Sequence, residues 1–526
     1  MEQDVFRLTY ATMFNPPEEL HRKFEQVMEE VRANLGKEYG MIIGGRECFG
    51  EKTFEETSPA DTDLVLGRFQ QGSAADAEAA VAAARRAFPG WSSTPWQKRV
   101  QLVRKAAQLV HERTIAIGAA MVLSVGKNRM EALGEVAETA DLLTYACDEM
   151  ERNNGFEVEM QQDPIPNQRT RNLSVLRPYG VWLVIGPFNY PTALTGGPVG
   201  AALVAGNTVV IKPSSDAAWT LHLLAECFLD AGIPEGVLNC VTGPGATLGA
   251  ALIANNDVDG VTFTGSYQVG MEIFRERAKL DCVRPVILEM GGKNPAIISR
   301  NANPEVAALG VMRSAFGFQG QKCSACSRVY IEEPVYNEMV AHIVALAQKI
   351  VIGDPANREV YMGPVINRKA FDQYLKCVQE LAAAGEILTG GRPRTDGAYA
   401  KGYFCTPTVV AGVPQDHRLW SYEMFLPILM ASPVKDLKEA IARANASQYG
   451  LTSGFYGSEE EADWFFENTH SGVAYANRPV GATTGAWPGF QPFGGWKGSG
   501  SSGKNAGGHY YVQLYLREQI LSRFFS

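Results

Sequence analysis

The sequence predicts an α/β protein built on parallel sheets with helices on both faces, and three observations carry that prediction. Between residues 180 and 290, short apolar runs at 181–185, 208–211, 237–241, 260–264 and 286–288 alternate with longer helical stretches. Strands that are apolar throughout are buried on both faces, and the intervening helices supply the crossovers a parallel sheet needs. The runs end in tight or polar exits: Gly186-Pro-Phe-Asn-Tyr-Pro191, Lys212-Pro-Ser-Ser215, Gly243-Pro-Gly245 and Gly265-Ser266. Parallel sheets bind ligands at such carboxyl ends. Lastly, 526 residues are enough for two to four domains of ordinary size.

The remaining elements follow in order. Residues 18–35 place Leu20, Phe24, Val27, Val31 and Leu35 at three- and four-residue intervals among charges, which predicts an amphipathic helical arm. Short strands over 41–44 and 54–66 precede helices over 76–87, 96–112 and 131–150. Asn153-Asn-Gly155 stops the last helix, and the alternating stretch to Tyr179 reads as a projecting hairpin, with a surface loop as the alternative. A second α/β region carries strands over 296–299 and 329–332, a helix over 335–350, a segment 361–367 leading into another helix, and the run 449–454. The tail after Gly498 is rich in glycine and serine and then alternates over 510–516.

Composition narrows the function. Hydrophobic residues at 46% and charged residues at 20% describe a chain with substantial cores. A net charge of -9 and a pI near 5.5, without a long basic run, leave no footprint for nucleic acid or an anionic membrane, so a small molecule is the expected partner. Nine irregularly spaced cysteines are not a disulfide framework and point to a reducing compartment. The seven histidines are scattered and Cys323/Cys326 is the lone CxxC pair, so no metal site is expected. Without a basic start leading into an apolar run, or a run of about 18 apolar residues, the expected location is cytoplasmic.

Two residues stand out chemically. Cys323 lies in Phe316-Gly-Phe-Gln-Gly-Gln-Lys-Cys-Ser-Ala-Cys-Ser-Arg328, where small neighbours let backbone amides approach the sulfur. A thiol works as its thiolate, and facing amides or a cation such as Lys322 favour that form. The residue is equally compatible with a buried structural thiol. Glu289, in Leu288-Glu-Met-Gly-Gly-Lys293, sits among apolar and glycine residues whose burial raises a carboxyl toward the range of a general base. Gly265-Ser266 between a strand and a helix suits a phosphate at the helix N-terminus, and Lys212 suits a ribose hydroxyl.

In order, GPFNYP, NTVVIKPS, FTGSYQVG, LEMGGKNP, FGFQGQKCSA, Glu423-Met-Phe425 and PFGGWKGSG resemble the aldehyde dehydrogenase superfamily over roughly residues 40–520. GFQGQKCSACSR, the helical arm and Gly481-Ala482 are most similar to the 1-pyrroline-5-carboxylate (L-glutamate γ-semialdehyde) dehydrogenases. The resemblance implies a Rossmann-type parallel-sheet cofactor domain over 1–154 and 180–293, an α/β catalytic domain over 294–496, and a small β oligomerisation element from 155–179 and 497–526. It also implies a homodimer or larger homo-oligomer.

By the same resemblance, Cys323 attacks the aldehyde, Asn189 and the Cys323 N–H hold the oxyanion, hydride passes to the cofactor, and Glu289 activates the water that hydrolyses the thioester. The cofactor residues would be Ile185, Pro187, Lys212, Ser214, Ser215, Gly245, Gly265, Ser266, Gly270, Glu423 and Phe425, and the substrate residues Ser324, Gly481, Ala482, Tyr190 and Phe493. Ser215 stands where the family often has a glutamate that repels a 2′-phosphate, so NAD is expected with NADP also usable. Leu426 replaces a usual glycine, and Ala486-Trp-Pro-Gly-Phe490 lengthens the loop before QPFGG, so that Trp487 and Phe490 either wall the pocket for a more apolar aldehyde or serve as packing anchors. The alternatives are a broad-specificity aldehyde dehydrogenase, a CoA-acylating enzyme, which a carboxylate at Glu289 disfavours, a non-catalytic relative, which retention of Cys323, Glu289 and Asn189 disfavours, and a cofactor-free cysteine hydrolase, which lacks a motif-bearing histidine.

Overall fold

The five apolar runs become neighbours in one sheet. In the computed structural model, which describes residues 16–481 and 487–525, strand Val181–Ile185 is flanked on one side by Thr208–Lys212 and then Leu238–Cys240. Gly260–Thr264 and then Val286–Glu289 lie on its other side, and all five strands are parallel. The strand order therefore reverses between Val181–Ile185 and Gly260–Thr264. The loops leaving those two strands, which carry Asn189 and Ser266, diverge and open a crevice. Met41–Ile43 and Arg46–Cys48 extend the far edge antiparallel.

Helices Pro191–Ala205, Arg129–Arg152 and Trp96–Glu112 pack together beside this sheet. The sequence reading passes over the helix Thr114–Val125, which is buried from Ile117 to Val125. A helix that is apolar all round has no stripe for periodicity to find. The predicted arm forms Glu18–Arg32 and buries Phe24 and Met28, packing against that missed helix.

A second seven-stranded sheet centres on Asn294–Ile298, with Cys326–Glu332 on one side and Thr452–Tyr456 on the other, all parallel. Only residues 290–293 separate Val286–Glu289 from Asn294–Ile298, so the last strand of the first sheet feeds directly into the middle of the second. This short crossing brings the two sheets together around Glu289.

The tail and the 155–179 hairpin form a third sheet together. Leu516–Phe525 runs antiparallel along Arg169–Pro178 of the same chain, with Glu157–Glu159 on the far side. The tail strand is ten residues long and matches its partner residue for residue, so one chain completes the ladder. Its outer edge is exposed beyond Leu516.

Candidate active site

Both sheets open onto one cavity of about 580 Å³. Cys323 lines it from the second sheet, just ahead of strand Cys326–Glu332, and the loop that presents it is held under strain. Phe318 and Gln319 have φ of 44° and 57°, a left-handed conformation that side chains disfavour. Surrounding bonds over-determine that shape, as stored strain requires. Gln319 Nε2 donates to Gly126 O (2.9 Å) and Pro364 O (2.7 Å), and its Oε1 accepts from Gly363 N (3.1 Å). Gln321 Oε1 accepts from Ile366 N at 2.9 Å, and Asn294 Nδ2 donates to Cys323 O at 2.6 Å.

The thiol's electrostatics differ from the sequence expectation. Burial pushes Cys323 up to about 12, the Glu423 and Glu289 carboxylates add to the rise, and the amides of Ser324 and Cys323 oppose it. Lys322 does not face the sulfur as a free cation. It is buried and paired with Glu131, because a lysine inside a protein needs a counter-charge. Cys326 points elsewhere, into the apolar cluster with Phe316 and Tyr456, where it donates to Arg328 O.

Glu289 ends the edge strand of the first sheet, and burial pushes its carboxyl up to about 8. Asn189 is buried just before the helix Pro191–Ala205, which has proline at its first position. Tyr190 lines the cavity beside it, with Lys127 Nζ 3.6 Å above its ring centroid. Ser324 and Phe493 complete this end.

Toward the crevice the cavity is lined by Ile185, Pro187, Lys212 and Ser214, then by Gly265 and Ser266. Ser266 caps the helix Tyr267–Arg277, accepting from Val269 N, so that helix's amide end faces the crevice. Lys212 is pushed down to about 8 by burial and donates to Pro213 O at 2.8 Å. Glu423 accepts from Gly292 N at 2.8 Å and is pushed up to about 7 by burial. A Cβ at Gly291 would collide with that carboxylate, so the glycine makes room for it. Phe425, at φ 59°, meets Phe188 edge-on at 5.9 Å. An ammonium, a helix N-terminus and a carboxylate along one crevice are the donor and acceptor set that a dinucleotide's ribose and phosphate groups need.

Several predicted positions lie off the cavity wall. Ser215 is exposed on the turn after Lys212, and Gly245 stands in open space at the start of its helix. Gly270 is small for a packing reason, since a Cβ there would lie 2.5 Å from Met290 Sδ. Gly481 (φ 69°) donates its N–H to Arg478 O at 3.1 Å, so this amide is already engaged. Ala482 lies outside the described residues. Phe490 is 88% exposed and Trp487 packs against the Arg478 guanidinium, so neither walls the cavity, and of the two it is Trp487 that anchors the loop. Leu426 is buried and lines the cavity.

Sequence reasoning missed the acids of helix Arg129–Arg152. Glu131 binds both ends of the nucleophile loop, pairing with Lys322 and accepting from Phe318 N at 3.1 Å. One turn on, Glu135 pairs with Lys127 and accepts from Thr192 N at 2.8 Å and Ala193 N at 3.3 Å, fixing the helix start beside Asn189. Glu138 follows on the same face and lines the cavity. The signal was available: acids at i, i+4 and i+7 share a helix face, and here that face is buried.

A crevice suited to a dinucleotide that opens onto a thiol, a carboxyl and an amide defines a cofactor-dependent oxidoreductase with a cysteine at its centre. The chain belongs to the aldehyde dehydrogenase family, whose model matches residues 48–521. It is 36% identical over 514 residues to the 1-pyrroline-5-carboxylate dehydrogenase of Geobacillus sp. (strain WCH70), covering 96% of this chain and 97% of the relative. It is also 36% identical over 520 residues to 1-pyrroline-5-carboxylate dehydrogenase 1 of Halalkalibacterium halodurans, covering 96% and 97%. The crystal structure of 1-pyrroline-5-carboxylate dehydrogenase from Thermus with bound NAD superposes with a TM-score of 0.92 at 33% identity, covering all of both chains. Among the described residues no group of histidine, cysteine or acidic side chains could hold a metal, and no helix is long and apolar enough to cross a membrane.

Proposed function

We propose that the protein oxidises L-glutamate γ-semialdehyde, the open form of 1-pyrroline-5-carboxylate, to glutamate, with NAD as cofactor and NADP also usable. The carrying observation is that one cavity joins Cys323, Glu289 and Asn189 to the crevice of Lys212, Ser266 and Glu423. Bound NAD supplies the two-electron acceptor.

Cys323 loses its thiol proton to solvent as Sγ forms a bond to the aldehyde carbon and the C=O π bond opens, and the Asn189 side-chain amide with the Cys323 N–H donates to the oxyanion. Two-electron oxidation of this adduct leaves a thioester on Cys323. Glu289 then takes a proton from a water whose oxygen attacks the thioester carbon. The C–S bond breaks, and the acid and the thiol are released. Oxidation to the thioester removes the substrate's aldehyde proton with its electron pair, so the carboxylate product carries its second oxygen from water. Glu423 and Lys212 would hold the cofactor's two riboses and Ser266 its pyrophosphate, with Phe425 beside the nicotinamide half.

The substrate bears a carboxylate and an ammonium beyond its aldehyde. Ser324 supplies a hydroxyl for the first and Glu138 a carboxylate for the second, while Tyr190 and Phe493 enclose its methylenes. We assign cofactor binding to residues 1–154 and 180–293, catalysis to 294–496, and subunit association to 155–179 and 497–526. The exposed outer strand, with Ile520 and Phe524 outward, suits a homodimer or larger homo-oligomer. Nine free thiols suit the cytoplasm.

The test is a panel of glutamate semialdehyde against aliphatic and aromatic aldehydes, following reduced cofactor. A site that recognises polar groups rejects analogues lacking them, so kcat/KM for glutamate semialdehyde is expected to exceed the others by about 100-fold or more. Equal or better use of apolar aldehydes would refute the substrate.

A further inference from the structure

Residues 126–128 join helix Thr114–Val125 to helix Arg129–Arg152, and the reaction above makes no use of the ammonium they carry. Both neighbours of Lys127 are fixed in place. Gly126 O accepts from Gln319 Nε2 at 2.9 Å. Asn128 caps the second helix, its Oδ1 accepting from Glu131 N at 3.0 Å while its Nδ2 donates to Tyr361 O at 3.0 Å. The backbone on either side of Lys127 is therefore tied to the nucleophile loop through Gln319 and to the acid-bearing helix through Asn128.

Lys127 is fully buried, and its ammonium reaches both halves of the reacting centre. It pairs with Glu135, whose Oε1 accepts from Thr192 N at 2.8 Å and from Thr192 Oγ1 at 3.0 Å. It stands 3.6 Å from the ring centroid of Tyr190, the residue after Asn189, and 4.5 Å from that of Phe318, on the nucleophile loop. Those two rings meet edge-on at 6.4 Å, and Phe318 N donates to Glu131 at 3.1 Å. One cation thus grips the segment that carries Asn189 at Tyr190 and, through Glu135, at Thr192, and it grips the loop that carries Cys323 at Phe318. The pull of an ammonium on a ring face is strongest where water is excluded, as it is here. A hydrocarbon chain of the same length would fill the space without drawing a carboxylate and two rings to one point.

We propose that Lys127 is a positioning residue that locks Asn189 to the nucleophile loop, so that the oxyanion donor keeps its place relative to Cys323 as the thiol adds to the aldehyde. This rests on Asn189 being the oxyanion donor. Burial pushes the Lys127 ammonium down while the Glu135 and Glu131 carboxylates oppose that, so its charge depends on these acids.

The test is a double-mutant cycle on the single-turnover rate of cofactor reduction, run with the aldehyde that the panel above ranks first. Lys127→Met combined with Glu135→Gln removes both charges of the pair, leaves neither buried without its partner, and keeps an acceptor for Thr192 N. It is expected to slow hydride transfer by roughly 10- to 100-fold with NAD binding unchanged, the cost of a reacting group displaced by about an ångström. Asn189→Ala should cost about 100- to 1000-fold. Added to Asn189→Ala, the paired substitution should cost less than about 3-fold more, because the donor it positions is gone. A general structural role would give the same loss in both backgrounds, so additive costs overturn the proposal, as does an unslowed rate with Asn189 present. Should the paired substitution not fold, Glu135→Gln alone decides by the same comparison, since burial without that carboxylate strips the lysine of its charge. Asn189→Ala separates the two ideas. An undiminished rate in it refutes the oxyanion donor itself, whereas a slow Asn189→Ala enzyme beside an unslowed paired variant refutes only the role of Lys127.

Discussion

The two sheets bring their chemistry to the cavity by opposite routes. The first delivers Asn189, Lys212, Ser266 and Glu289 from the carboxyl ends of regular parallel strands, where backbone geometry alone aims each exit at the crevice. The second delivers Cys323 on a loop in the left-handed region at Phe318 and Gln319, held by side chains from distant segments. Regular strands place groups through local sequence, so their sites are robust and readable. A strained loop places its group through long-range bonds, and removing one of those bonds loosens the geometry.

The sharpest test of the convergence of these routes is removal of the thiol. Cys323→Ala is expected to lose on the order of 10⁴-fold or more in turnover while binding NAD with unchanged affinity, because the thiol is not among the groups assigned to the cofactor's riboses and phosphates. Aldehyde oxidation that persists in this variant would sink the covalent route. Glu289→Gln comes next. Losing a general base costs roughly 10²- to 10⁴-fold in the step it serves. Hydride transfer should survive, and mass spectrometry should find the thioester accumulated on Cys323. In wild type the acid-release rate should rise with pH, with a midpoint at or below about 8, because burial raises this carboxyl and only its ionised form accepts the water's proton. A rate that is flat from pH 6 to 9 would contradict the assignment.

Gln319→Ala probes the loop itself. It leaves Gly126 O, Pro364 O and Gly363 N without their partner, and buried groups so stranded destabilise by about 1 to 3 kcal/mol each. The expected result is a loss of a few kcal/mol in denaturant unfolding, with kcat falling and the KM for NAD little changed. Unchanged stability would show that the strained segment holds itself.

The same contrast explains what the sequence reveals. Strands 181–185 and 260–264 were readable to the residue because fully buried parallel strands are continuous apolar runs with glycine-marked ends. Asn189, Glu289 and Cys323 stand in motifs, and motif order located them. Gln319 was not readable, and for Glu131 the acid stripe was visible but its partners were not, since what the two residues hold lies 44 to 193 residues away along the chain. Lys322 misled for the same reason: its partner Glu131 is remote, so its charge is spent away from the sulfur. For Trp487 and Phe490 the sequence left both readings open, because aromatic residues read as pocket or anchor alike until the backbone shows which way the loop turns.

The smallest effect belongs to the first sheet, at Ser215. The turn after Lys212 presents no carboxylate to the adenosine ribose. Ser215 is exposed and uncharged, and the neighbouring Asp216 accepts from Asn367 Nδ2 at 3.2 Å, with burial raising its carboxyl. A 2′-phosphate arriving there meets the ammonium of Lys212 and no carboxylate at position 215, so wild type should use NADP within about two orders of magnitude of NAD in kcat/KM. Ser215→Glu places a carboxylate on the turn, and like charges brought together at a binding site repel. The variant should lose roughly 10-fold or more in kcat/KM with NADP while NAD, which has a ribose hydroxyl there to donate to the new carboxylate, holds or improves. Because strand Thr208–Lys212 fixes this turn, the effect should appear in KM and leave kcat alone. A fall in kcat with both cofactors would mean that the cofactor crevice and the strained loop are coupled, and the separation between the two sheets would have to be given up.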